Sequence, residues 1–121
     1  MNSLIEVDMT TIREAALHFK RCKVAGQAII DRLKKQKTTV KTWVFFKKEI
    51  SVWEYLGTIE GWHGRGHYAA LAGFATEEEG RLINLASKGY DYDQYAKHGR
   101  RVFLTPSDYR SLIWIMETKI D

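Results

Sequence analysis

Apolar residues recur along this chain at two periods, one helical and one strand-like. Ile12, Ala15, Ala16 and Phe19 follow the i, i+3, i+4, i+7 spacing of one helix face. Thr11-Ile12-Arg13-Glu14 has capping-box spacing at the start of that run. A second periodic segment runs from Val24 to Gln36, with Ala25, Ala28, Ile29 and Leu33 as its stripe. Gly26 weakens that helix by about 1 kcal/mol relative to Ala, so something there requires a small residue. Lys20-Arg21-Cys22-Lys23 is polar and short, and it predicts a connection between two helices that cross.

From Thr38 to Lys48 the pattern changes. Val40, Trp43, Val44, Phe45 and Phe46, with Thr38, Thr39 and Thr42, favour a strand. Val52, Trp53, Tyr55 and Ile59 support a second strand over 50–59. Ser51-Val52-Trp53-Glu54 also has capping-box spacing, and Gly57 suits a helix end; the strand is the preferred expectation. Three glycines in Gly61-Trp62-His63-Gly64-Arg65-Gly66-His67 predict a loop. Residues 68–74 read as a third strand, although the alanines there also allow a helix. Thr76-Glu77-Glu78-Glu79 opens a helix whose stripe is Leu82, Ile83 and Ala86, closed at Gly89. Residues 90–98 read as a short helix and 101–104 as a short strand. Thr105-Pro106-Ser107-Asp108 starts a last helix with Tyr109, Leu112, Ile113 and Met116 inward. The order predicts a single α+β domain over 1–121: an N-terminal helix pair, a small antiparallel β-sheet and C-terminal helices.

Composition narrows the class. With 121 residues, 45% of them hydrophobic and 12% aromatic, the chain suits one packed domain and not a disordered segment. It has no apolar run near the ~20 residues of a membrane span. The first residues lack a basic and then apolar leader pattern, and one cysteine, Cys22, allows neither an internal disulfide nor a Cys-based zinc site. A cytoplasmic setting is expected.

Charge is unevenly placed. Met1 to Glu49 carries eleven Lys/Arg against five Asp/Glu; the remainder carries eight against ten. The densest stretch holds Lys20, Arg21, Lys23, Arg32, Lys34, Lys35 and Lys37 against Asp31 alone. Such a concentration attracts polyanions, most often nucleic acid.

Ile12 to Phe19, followed by Val24 to Leu33, resembles the helix-turn-helix of small bacterial and phage regulators. Ala16 matches the small buried position where the helices cross, and Ile29 an apolar position of the second helix. The run Ile29-Ile30-Asp31-Arg32-Leu33 is similar to the end of a recognition helix in winged-helix regulators. The resemblance implies DNA binding in a regulatory role. Lys23 and Gln27 would then reach base edges, and Lys20, Arg21, Lys34, Lys35 and Lys37 would meet phosphates. In the winged-helix form the Trp62–Tyr68 loop is the wing, with Arg65 supplying charge and Trp62 or His63 stacking on bases.

Other chemistry is thinly represented. His63 and His67 have chelating spacing only on a helix, and Gly64 and Gly66 argue against one, so neither metal nor cofactor is expected. Either histidine beside Arg65 would suit a metal-independent nuclease, but no second catalytic group is recognisable, and no enzyme is expected. Cys22 among Lys20, Arg21 and Lys23 would have a lowered thiol pKa if exposed, and reads otherwise as a small buried residue. The alternative to nucleic-acid binding is an accessory protein that covers and inhibits a protein partner. The four Trp and six Tyr favour it, including Tyr90, Tyr92 and Tyr95 beside Asp91 and Asp93. A homodimer through the last helix is a further possibility.

Overall fold

A computed structural model describes residues 3–43, 46–88 and 101–120. Its elements are β1 (Ile5–Asp8), α1 (Met9–Lys35), β2 (Lys37–Trp43), β3 (Phe46–Ser51), α2 (Val52–Ile59), α3 (Gly64–Leu71), α4 (Glu77–Ala86), β4 (Arg101–Leu104) and α5 (Pro106–Glu117). The class is α+β. The strands form two separate antiparallel pairs, β1 with β4 and β2 with β3, in place of the single expected sheet. The short helix expected over 90–98, with its Tyr/Asp cluster, and the Gly89 helix end lie outside the described residues.

The expected N-terminal helix pair is one helix. α1 runs unbroken through Lys20–Lys23, so the turn that a helix-turn-helix needs there is not formed. The reason lies in the buried positions. Ile12, Ala15, Ala16, Phe19, Cys22, Gly26, Ile30 and Leu33 are all buried, and from Ala16 onward they follow at steps of three or four residues. Cys22 carries the apolar stripe across the polar stretch, which contains neither Gly nor Pro. The helix also starts earlier than Thr11. The Asp8 carboxylate accepts the Thr11 N–H at 2.8 Å, which makes Asp8 the capping residue.

The chain divides into two compact units. The first comprises the described residues of 3–22 and 88–120. There β1 pairs with β4 from Ile5↔Leu104 to Asp8↔Arg101. Val7, Val102, Leu104, Leu112 and Ile115 are buried in this unit, together with the first apolar positions of α1. Of the expected inward set of α5, Leu112 is buried, Tyr109 and Ile113 are half-buried and Met116 is exposed; Ile115 is buried as well. The His18 imidazole N–H donates to the Thr118 carbonyl at 2.7 Å; a carbonyl only accepts.

The second unit, Lys23–Ser87, holds the rest of α1, the β2–β3 hairpin, α2, α3 and α4. Ile30, Leu33, Val52, Leu56, Ala69 and Ile83 form its core. Two strand expectations become helices here. Over 52–59 the Ser51 hydroxyl accepts the Glu54 N–H at 3.1 Å, so the capping reading wins over the strand. Over 64–71 the expected loop and the start of the expected third strand form α3. Glycine serves packing there. A Cβ on Gly66 would collide with the Gly80 carbonyl oxygen of α4, and one on Gly80 with that of Gly66. Asn84 of α4 holds the same spot: its Oδ1 accepts the Gly66 N–H at 2.9 Å and its Nδ2 donates to the His63 carbonyl at 3.2 Å. Gly26 of α1 is required for the same kind of reason, since a Cβ there would strike the Leu82 backbone and come within 2.9 Å of the Ala86 Cβ. The Thr76 capping box and the Thr105 cap form as expected.

Candidate nucleic-acid interface

The expected contact residues separate into three places. Within the second unit, Lys23, Gln27 and Lys34 share one side of α1 by their i, i+4, i+11 spacing, and Lys20 belongs to the first unit. Lys20, Gln27 and Lys34 are exposed and Lys23 is half-buried. Gln27 Nε2 donates to Asp31 Oδ1 at 3.0 Å, so its amide is already engaged. Arg21 lies on another side of the helix, as does Arg32, which donates to Glu79 Oε2 at 2.7 Å and to the Phe74 carbonyl at 3.3 Å. The Glu79 carboxyl is held below its usual range, with the Arg32 bond the largest cause and the Thr76 backbone bond next.

The second place is the end of α1 with the hairpin. Lys34 and Lys35 stand in the last helical turn, where cations complement the negative end of the dipole. Lys37 opens β2, and the Gln36 carbonyl accepts the Val52 N–H at 2.8 Å, tying the base of the hairpin to the start of α2. Lys37 and Lys41 fall on one face of β2 by strand alternation. Lys47 stands directly opposite Lys41 and shares that face, as does Glu49 opposite Thr39. Lys48 points to the other face, opposite Val40. From Lys34 to Lys48 the chain holds six lysines and no acid. Lys34, Lys35, Lys37, Lys41, Lys47 and Lys48 are all exposed, as is the ring of Phe46. Sequence reasoning missed Lys41, Lys47 and Lys48. The acid-free run was visible, but the pairing that puts Lys41 beside Lys47 depends on the register and on the bulge between Lys41 and Trp43.

The third place is the start of α3. Trp62 is 100% exposed and does not fold back on the core. His63 is exposed beside it. Arg65 is committed elsewhere: its Nε donates to Glu60 Oε2 at 3.2 Å and its guanidinium lies 4.6 Å over the Trp53 ring. A Cβ on Gly57 would come within 2.8 Å of that guanidinium. Arg65 therefore braces α3 against α2, in place of the free charge expected in a wing.

Cys22 is buried, and burial pushes its thiol up from the ordinary value, opposite to the lowering its basic neighbours would cause in water. Among the described residues, no group of three or more His, Cys, Asp or Glu side chains is placed to hold a metal ion, and no helix is long and apolar enough to cross a membrane.

No protein-family model matches this chain, and neither a curated protein nor a solved structure matches it.

Proposed function

We propose that this chain binds nucleic acid without chemistry of its own, through the lysine-rich end of α1 and the β2–β3 hairpin. The observation that carries the reading is the Lys41–Lys47 pair inside an acid-free stretch of six lysines. Like charges directly opposite across a ladder destabilise it. A polyanion laid along that face removes the repulsion and releases its own counterions. Duplex DNA suits the shape, because a two-stranded ribbon enters the major groove. Contacts of this kind position the protein, and a regulatory role follows if bases are read as well.

The test is a titration of labelled duplex DNA and single-stranded RNA at two salt concentrations. The parent protein should bind more weakly at higher salt. A Lys37→Ala, Lys41→Ala, Lys47→Ala variant should bind every sequence more weakly, with the log–log salt slope on duplex DNA falling by about 0.9 for each phosphate that is no longer neutralised. No binding by the parent, or an unchanged slope in the variant, rejects the reading.

A protein partner is the second reading, favoured by the full exposure of Trp62, since aromatic rings anchor interfaces. It predicts a complex that survives nuclease treatment and high salt.

A further inference from the structure

The helical start of α3 brings together two side chains that a loop would have kept apart. The rings of His63 and His67 have centroids 4.5 Å apart and planes tilted by 43°. Both residues are exposed. We infer that His63 and His67 form a two-nitrogen chelate for a divalent first-row transition-metal ion.

The distance carries the argument. With metal–nitrogen bonds of about 2.0–2.1 Å, two imidazoles bound side by side on one ion have centroids about 4.5–5.5 Å apart. The observed separation of 4.5 Å stands at the lower end of that range. Its backbone turns at a glycine and is held by one side chain of α4. Gly64, between the histidines, has φ of +79°, a conformation that L side chains rarely adopt. Asn84 then bonds the His63 carbonyl and the Gly66 N–H, on either side of that glycine. His67 is further set edge-on to the Tyr68 ring, with centroids 5.3 Å apart. Holding the backbone that carries both rings lowers the ordering cost of chelation.

Imidazole nitrogen selects the ion class. Zn²⁺, Ni²⁺ and Cu²⁺ favour it, whereas Mg²⁺ and Ca²⁺ demand oxygen. Among the described residues no group of three His, Cys, Asp or Glu is placed to hold a metal, and the proposed chelate rests on these two nitrogens. An ion held this way is an added positive charge next to the exposed Trp62.

The test uses the untagged full chain. Zn²⁺ is titrated by calorimetry, and Ni²⁺ is added while the histidine ring C–H signals are followed by NMR. One ion per chain should bind, with the His63 and His67 signals broadened first. His63→Ala and His67→Ala should each weaken binding by about tenfold or more, whereas His98→Ala and His18→Gln should leave it intact. Mg²⁺ should not compete. Circular dichroism confirms that the exposed-site variants stay folded. The inference is overturned by the absence of saturable binding, by unchanged affinity in His63→Ala or His67→Ala, or by equal weakening in His98→Ala.

Discussion

Lys41 stands directly across the β2–β3 ladder from Lys47, two ammonium groups on the same face of a two-stranded ribbon. Like charges placed directly opposite on an exposed face cost stability, a cost that a bound polyanion would remove. Lys41→Glu should therefore separate the two roles. Replacing repulsion with attraction should raise stability by about 0.2–1 kcal/mol in urea denaturation. The same change should weaken DNA binding and its salt dependence. A variant that gains stability and binds unchanged would detach the pair from the proposed function.

Gly26 sits where α1 meets the Leu82 backbone. Alanine is the better helix former by about 1 kcal/mol, so propensity alone predicts that Gly26→Ala stabilises. The close approach predicts the reverse. The added methyl meets a carbonyl that belongs to α4 and yields only if the helices move apart, at a cost of about 1–3 kcal/mol. Thermal or urea unfolding of Gly26→Ala decides between the two signs.

Glu79 accepts from Arg32 and from the Thr76 N–H, and its carboxyl is held below the usual range. A depressed folded value means that the folded state favours the ionised form. The resulting stability is complete above the usual glutamate range and fades as pH falls below about 4, through the lowered value. Glu79→Gln should flatten the stability–pH curve in that acid window and leave its shape at neutral pH unchanged. Because Arg32 is half in water, the total effect is small.

Trp62 has no buried surface to lose. Trp62→Phe and Trp62→Ala should leave unfolding free energy within about 0.5 kcal/mol of the parent. The difference emission spectrum between parent and Trp62→Phe should be that of a water-exposed indole, readily quenched by acrylamide. A blue-shifted difference spectrum would place the ring in a packed site.

Caps were legible because they are local. Thr76 with Glu79 and Thr105 with Pro106 each announce a helix within four residues, and both form; Ser51 with Glu54 offered the same signal against the preferred strand, and the Thr11–Glu14 box gave way to an Asp8 cap one turn earlier. The break expected at Lys20–Lys23 comes from grouping Cys22 with its polar neighbours. Counted as apolar, that residue continues the stripe from Phe19 to Gly26 without a change of phase. Helix α3 was hidden for another reason. Gly64 and Gly66 look like turn residues alone, and only the facing Gly80 and Asn84 explain them. Of the candidate contacts, Lys34, Lys35 and Lys37 were plain from charge density. The engagement of Arg65 by Glu60 and Trp53, and the approach of Lys41 to Lys47, arise from tertiary placement.

The meeting of Gly66 with Gly80 has a consequence for what this molecule can become. The two helices are indexed against each other by missing atoms, and the nearest neighbour of each glycine is backbone that no rotamer change can move aside. Any enlargement there would push α3 off α4 and strain the Asn84 bonds to Gly66 and to the His63 carbonyl. The anchoring of His63 at the head of α3 thus leans on the absence of two side chains further along the fold.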